Sequence, residues 1–340
     1  MDNQPSMSKT ESVLGAVYLE DLPQAAYKIT SIPGRGRGLV AKTNIPRGYR
    51  ILVETPILVV ESTPPPSLEP IIAAKLKRLS KAEQRQFLSL SNNFPGKYPF
   101  SGIVKTNALP CGSGSSTGGV YGRASLINHS CVPNAHNNWN ADSGQETIHA
   151  TRPISSGEEI TICYSKGGTS VDRRIELRQA FGFDCDCSLC SLLPNELEAS
   201  NTRRQKCEEL DDAIGNPFRI MRDPNASLAD CKMLLGILIT EHGDSGLALF
   251  ARLYYDAFQI CIAHSDQVRA AMFAKRAYEA RILCEGEDSP LTSKMKILME
   301  APANHQTFAA YSSRWRSKKN SLPQGIDSAT FDKWLWRIPE

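Results

Sequence analysis

The chain is short of several things, and each shortage removes a class of protein. No run of about 18 or more apolar residues occurs; the longest apolar block, Met233 to Ile239, contains Gly236 and is too short for a bilayer. Met1 to Leu14 is polar and aperiodic with no apolar signal region, so we expect a mobile tail and no oxidising compartment. Lys and Arg number 39 against 36 Asp and Glu, a net charge of +3 that offers no broad cationic surface to nucleic acid. No segment repeats exactly, and no cysteine precedes Cys111. The composition, 41% apolar and 22% charged over 340 residues, suits a globular chain of two domains. The expectation is a monomeric intracellular protein, of nucleus or cytoplasm, that spans no membrane.

Ten cysteines in such a chain read as reduced thiols or metal ligands. Six are scattered (Cys111, Cys163, Cys207, Cys231, Cys261, Cys284) and are expected as small core residues. Three others fall within six residues, Cys185-x-Cys187-x-x-Cys190. Three thiolates in one tight loop suit zinc, which holds sulfur at about 2.3 Å in a tetrahedron. They leave that tetrahedron one ligand short, and Cys131 is assigned as the fourth. A site with four protein ligands has no open position for water, so the metal would brace the fold rather than react.

From Tyr27 to Val60 the pattern is short strands punctuated by Gly and Pro: Tyr27 to Thr30, Leu39 to Ala41, Ile51 to Glu54, and Ile57 to Val60. The loop Gly34-Arg35-Gly36-Arg37-Gly38 lies between strands, which argues against a phosphate loop opening a helix. It is either a plain β-turn or a place where backbone approaches a ligand closely. After Pro64 to Pro66, residues 68–90 read as helical, with a capping box at Ser80 and Glu83, inside an insertion of about 62–106. Gly112 to Gly119, made only of Gly, Ser and Thr, reads as a flexible loop. Strands are expected at Thr147 to Ala150 and Ile160 to Tyr164.

Beyond the cysteines the period becomes 3.6. Leu228, Cys231, Leu234, Leu235 and Leu238 share one face, with Ser227 as N-cap; Phe250 to Cys261 repeats the pattern. Ser265 is expected to cap the next helix, Gly286 to end it, and Ala271, Ala274 and Ala277 to allow close packing. Arg314 to Lys319 reads as a solvated basic segment, and Trp334-Leu335-Trp336 as docked on the helices.

Four motifs in order carry a family resemblance: Gly36-Arg37-Gly38-Leu39-Val40-Ala41, Asn128-His129-Ser130-Cys131-Val132-Pro133-Asn134, Gly157 to Tyr164, and Cys185-x-Cys187-x-x-Cys190. Together they resemble the SET-domain protein lysine methyltransferases, and most of all the SET-and-MYND branch. One departure is clear: without a cysteine before Cys111, the insertion has no MYND zinc finger. The resemblance implies an α+β chain: a β-rich SET domain (25–164) with a pseudoknot at Asn128 to Asn134, then a post-SET zinc-binding segment (165–195). A helical domain (196–300) and a C-terminal tail (301–340) follow, and residues 1–24 precede.

It also implies S-adenosylmethionine as methyl donor, held by Arg35, Gly36, Arg37, Gly38, Ser125, Leu126, Asn128, His129, Tyr164 and Phe183. In that reading His129 acts mainly through its backbone, Phe183 walls the pocket or the lysine channel, and Tyr164 is the catalytic side chain. The partner is a protein with a target lysine, a histone among the candidates; the alternative is an inactive SET-like zinc scaffold that binds proteins. The chemistry is consistent. Neutralising a lysine of pKa about 10.4 at pH 7 costs about 4.6 kcal/mol. A narrow apolar channel beside a sulfonium lowers that cost through desolvation and like charge. Tyr164, a neutral phenol, can then orient the amine without adding charge.

Overall fold

A short parallel strand pair at the edge of one sheet ties distant segments of the N-terminal half together. The structure, a computed structural model, describes residues 26–318 and 321–339. The tail expected over residues 1–24 lies outside the described residues. Those up to 201 form one compact unit, and those from 202 onward a second.

In the first unit, β1 (Tyr27–Ile32) turns into β2 (Gly36–Ala41), followed by β3 (Arg50–Glu54) and β4 (Leu58–Glu61). Three helices then intervene, α1 (Pro65–Arg78), α2 (Lys81–Leu88) and α3 (Pro99–Asn107). The strands resume as β5 (Leu109–Pro110), β6 (Thr117–Val120), β7 (Asn128–His129), β8 (Ala135–Asn140), β9 (Gln145–Ala150) and β10 (Glu159–Ile162), and α4 (Ser170–Phe181) follows them. They form three small sheets, ordered β1-β2-β10-β7, β3-β9-β8 and β4-β6-β5. Their inward faces share one core in which Leu39, Val120, Ile127, Ile148 and Ile160 are fully buried.

Local sequence explains some of these elements and not others. Leu68, Ile72 and Leu76 recur every four residues on α1 and bury one stripe; each such side chain contributes about 1.5–3 kcal/mol. The expected Ser80–Glu83 capping box starts α2, and Thr169 with Asp172 makes a second on α4. No cap of its own starts α3. Glu69 on α1 instead accepts from the backbone N–H of Phe100 (3.0 Å) and of Ser101 (2.8 Å), a carboxylate suited to a helix N-terminus.

Gly112 to Gly119 is not simply a loop. Gly118 and Gly119 belong to β6, the central strand of its sheet. A Cβ on Gly119 would stand 2.6 Å from the Tyr121 hydroxyl, so glycine is there to admit that ring rather than to confer flexibility. Among the scattered cysteines, Cys231, Cys261 and Cys284 are buried as expected; Cys111 and Cys207 are only partly buried, and Cys163 is exposed at the end of β10.

In the chain that follows, α5 (Pro194–Ile214) leads to α6 (Pro217–Arg222), α7 (Pro224–His242), α8 (Leu247–Ala263), α9 (Gln267–Glu285), α10 (Pro290–Glu300) and α11 (Ser328–Leu335). Fully buried Ala274 and Ala277 belong to the core that α9 shares with α7 and α8. Two expected caps move by a few residues. Asp223 caps α7, because Pro224 can open the helix earlier than Ser227, and Asp266 caps α9 while Ser265 takes a left-handed φ of 70°. Gly286 ends α9 as expected. By length and composition Pro224–Ala263 would pass for a membrane span. In the fold it is α7 and α8, interrupted at Gly243–Gly246, with Leu228, Leu235, Phe250 and Phe258 in the helical core.

Leu335 and Trp336 dock into that core. The basic segment departs from expectation: Arg314, Arg316 and Lys318 are exposed, but Trp315 is buried under the Arg337 guanidinium, 4.1 Å from the ring centre. A cation on an aromatic face stabilises that burial.

One buried acid is a pH liability. Glu146 on β9 is fully buried, accepting from the Tyr121 hydroxyl (3.3 Å) and the Asn137 amide (3.1 Å), and burial pushes its pKa up to about 7. The unfolded chain releases this proton near the ordinary value of 4.5, whereas the folded chain keeps it until about 7. Between those pH values the unfolded state binds fewer protons, so stability falls as pH rises and then levels off. Glu146→Gln is expected to gain about 3 kcal/mol over the parent at pH 8 and almost nothing at pH 4.5, measured by urea unfolding at both pH values.

Candidate active site

The segment from Asn128 to Asn134 is tied to β10 at both ends. β7 runs parallel to β10, with Asn128 opposite Thr161 and His129 opposite Ile162, and the Ser130 N–H reaches the Ile162 carbonyl at 3.0 Å. At the other end the buried Asn134 amide donates to the Glu159 carbonyl (2.8 Å) and accepts from the Thr161 N–H (2.8 Å). Each bond satisfies a backbone group of β10 that the sheet leaves open.

Beside this segment lies a cavity of about 400 Å³, within the range of small-molecule sites. Gly34 to Arg37, Leu126, Asn128, His129, Tyr164 and Phe183 line it. Gly34 and Gly36 both take φ of 73°, so the β1–β2 turn needs residues without Cβ strain. Gly38 lies behind the lining. A Cβ there would meet the Asn128 side-chain nitrogen at 2.8 Å and a Glu159 oxygen at 2.9 Å. The Asn128 amide donates to Glu159 (2.8 Å) and to the Arg37 carbonyl (3.3 Å), which leaves its oxygen for a ligand's donor. Arg35 reaches Glu159 at 3.5 Å and also pairs with Asp186 between two of the cysteines. The Ser125 hydroxyl is engaged elsewhere, accepting from Tyr121 N–H and donating to the Asn107 carbonyl.

Tyr164 sits two residues past β10. Its hydroxyl donates to the Ile127 carbonyl, so the phenol oxygen keeps its lone pairs for the pocket. Burial pushes its pKa above the ordinary tyrosine value, and the ring stays a neutral phenol. Around it stand Phe181 at 4.8 Å, His129 at 5.3 Å and Phe183 at 6.5 Å between ring centres. Burial pulls His129 down to about 4, so its imidazole is also neutral near pH 7.

The sulfurs of Cys131, Cys185, Cys187 and Cys190 lie within 4.8 Å of one another. Cys131 is 3.6 Å from Cys190 and 3.9 Å from Cys185; a regular tetrahedron with arms of about 2.3 Å has edges of about 3.8 Å. The donor set and spacing fit a tetrahedral zinc with all positions filled by protein. Arg173 on α4 is buried beside them, its Nε 3.3 Å from the Cys131 sulfur. A buried guanidinium offsets part of the negative charge of four thiolates.

Nine of the ten residues expected at the cofactor pocket line this cavity, Gly38 backs it, and the four expected metal ligands meet. Other lining residues were not foreseen: Ser91, Asn93, Thr106 and Asn107 from the helical insertion, and Phe181, Asp184 and Asp186. Asn93 donates to the Phe181 carbonyl at 2.7 Å, so the insertion holds an aromatic wall that lies 88 residues away in sequence. No local pattern signals that contact. The capping box at Thr169, by contrast, could have revealed α4 and its Arg173.

Residues 36–165 match the family described as SET domain, the class that the small sheets and the tied segment define. Over 282 residues, 82% of this chain and 85% of the relative, the chain is 34% identical to histone-lysine N-methyltransferase set5 of Schizosaccharomyces pombe. Shorter matches reach histone-lysine N-methyltransferase SMYD3 of Homo sapiens, 35% identical over 97 residues (28% of this chain, 22% of the relative). Another is histone-lysine N-methyltransferase SET5 of Saccharomyces cerevisiae, 42% over 81 residues (24% and 15%). The chain belongs to the SET-domain protein lysine methyltransferases, enzymes that take the methyl group from S-adenosylmethionine.

The crowding at Gly38 gives a direct test of the pocket's back wall. Gly38→Ala must displace Ile32 as well as Asn128 and Glu159, since its Cβ would lie within 2.9 Å of all three, at a cost of about 1–3 kcal/mol for an overpacked site. The expected outcome is a lower Tm and an S-adenosylmethionine affinity reduced at least tenfold, read by calorimetry.

Proposed function

We propose that the chain methylates lysine side chains of proteins, histones among them, at the cavity beside Tyr164. The observation that carries this reading is the Tyr164 phenol, anchored to the Ile127 carbonyl where the polar cavity meets a group of aromatic rings. S-adenosylmethionine, when bound, supplies a methyl group already activated by its sulfonium. Asn128 and the backbone around Arg35 to Arg37 would hold its amino-acid part, beside carboxylates of Glu159 and Asp186 that Arg35 pairs with. Phe183 would wall its adenine or the lysine channel.

On the substrate side, Tyr164, Phe181 and Phe183 form an apolar lining. It strips water from an entering ammonium and so favours the neutral amine. The phenol oxygen of Tyr164 accepts a hydrogen bond from that amine and fixes its lone-pair direction. Alignment of this kind can account for a factor of about 100 or more in rate. Zinc in the four-cysteine site would be structural, keeping Phe183 and Asp184 beside the cavity. An inactive scaffold would bind proteins without needing the aligned phenol, so cofactor binding together with methyl transfer distinguishes the two.

Radiolabelled methyl transfer to histones and to peptide arrays, with mass spectrometry of the product lysine, tests the reading. Tyr164→Phe is expected to lower transfer at least about 100-fold while S-adenosylmethionine affinity changes less than about threefold. Equal turnover by the two proteins would remove Tyr164 from its role. Cys185→Ser is expected to leave less than half of the parent's zinc by elemental analysis; a full equivalent retained would refute the ligand set.

A further inference from the structure

The His129 side chain has a partner on each nitrogen, and those partners belong to different parts of the site. Its Nδ1 accepts the backbone N–H of Tyr164 at 2.9 Å. Because a backbone N–H can only donate, Nδ1 is the lone-pair nitrogen and the ring proton of the neutral imidazole sits on Nε2. That Nε2 lies 3.2 Å from the sulfur of Cys131, so it donates an N–H···S bond to the metal site. Cys131 thereby has two donors on one sulfur, His129 and the Arg173 Nε at 3.3 Å. Two donors on one sulfur suit a thiolate better than a thiol, which has a hydrogen of its own to place.

The location gives the contact its meaning. The ladder between β7 and β10 stops at the pair His129 and Ile162, and its last bond runs from Ser130 N–H to the Ile162 carbonyl. Tyr164 stands beyond that end, and its N–H points to the imidazole rather than to a strand carbonyl. The ring thus adds one rung to the sheet at the residue that carries the phenol. Buried and packed between Tyr164 and Phe183, it has little room to turn.

We propose that the His129 imidazole is a positioning residue that couples the four-cysteine site to Tyr164, holding the tyrosine's backbone through one nitrogen and a metal-bound thiolate through the other. This assigns the side chain a task separate from the backbone contact expected from the sequence. It rests on the metal and catalytic reading above. Loss of the coupling lets Tyr164 drift while the cavity for S-adenosylmethionine remains, so kcat falls more than cofactor affinity does.

Two variants divide the ring's contacts. His129→Phe keeps a ring and removes both hydrogen bonds; His129→Asn restores an acceptor near the Nδ1 position and leaves the sulfur without its donor. Each is made as the full chain, loaded with cobalt(II) in place of zinc for spectroscopy and with zinc for kinetics and amide exchange by NMR. The expected result is a shifted thiolate-to-cobalt charge-transfer band in both variants. Tyr164 amide exchange is expected to rise at least tenfold, and kcat to fall at least tenfold, in the Phe variant, with smaller changes of the same sign in the Asn variant, which keeps the hold on Tyr164 but loses the hold on the thiolate. Affinity for S-adenosylmethionine is expected within threefold of the parent in both.

An unshifted band, or unchanged Tyr164 exchange in the Phe variant, overturns the proposal, as does an Asn variant no better than Phe. A parent that binds no cobalt overturns it together with the metal reading. A parent that binds cobalt but transfers no methyl defeats the catalytic reading alone, and the coupling is then decided by the band and the amide exchange.

Discussion

The convergence of four sulfur atoms is the constraint on which the rest of the site depends. Cys131 and Cys185 are separated by 54 positions in the chain, yet their sulfurs approach to 3.9 Å. Closing a loop of that length has an entropic cost that grows only slowly with its size, and nothing in the apolar core of the unit includes the cysteine turn itself. That turn has a small core of its own, with Cys131, Cys187 and Leu189 buried and Val132 and Leu192 packed on them. So few side chains bury little area. In the proposed reading, metal–sulfur bonds supply what the small core lacks.

What the brace holds is more informative than the brace. Asp184 and Cys185 line the cavity on one side of the turn, Phe183 precedes them, and Asp186 pairs with Arg35 on the opposite wall. The cysteine turn is therefore a wall of the pocket. The helical insertion forms another, through Ser91, Asn93, Thr106 and Asn107. Three segments remote in sequence complete a cavity around the strand pair β7 and β10, whose own bonds are few and rely on Asn134 and His129 side chains.

Much of this was legible in the sequence where the cause is local. The first four strands, the Ser80 capping box, the apolar face of α7 and the clustering of the cysteines each follow from a short pattern, and their places in the fold agree with it. What escaped has long-range causes. Helix α3 takes its cap from Glu69, about thirty residues earlier, and includes Gly102, whose missing side chain makes room for Asn92 and the Phe94 carbonyl. Glycines of β6 read as a loop because their partner, the Tyr121 ring, is a packing fact rather than a pattern. Phe181 stood next to the recognised motif, but its role depends on distances to Tyr164 and Asn93 that spacing does not encode.

In the proposed reading the four-cysteine site maintains the pocket without taking part in the chemistry. Stepwise removal of metal with a chelator, following S-adenosylmethionine binding by calorimetry and folding of the helical unit by circular dichroism, tests it most directly. The account predicts that the fraction of protein able to bind S-adenosylmethionine falls in step with bound zinc while the helical signal changes little, and that added zinc restores binding. Undiminished binding by metal-free protein would contradict it.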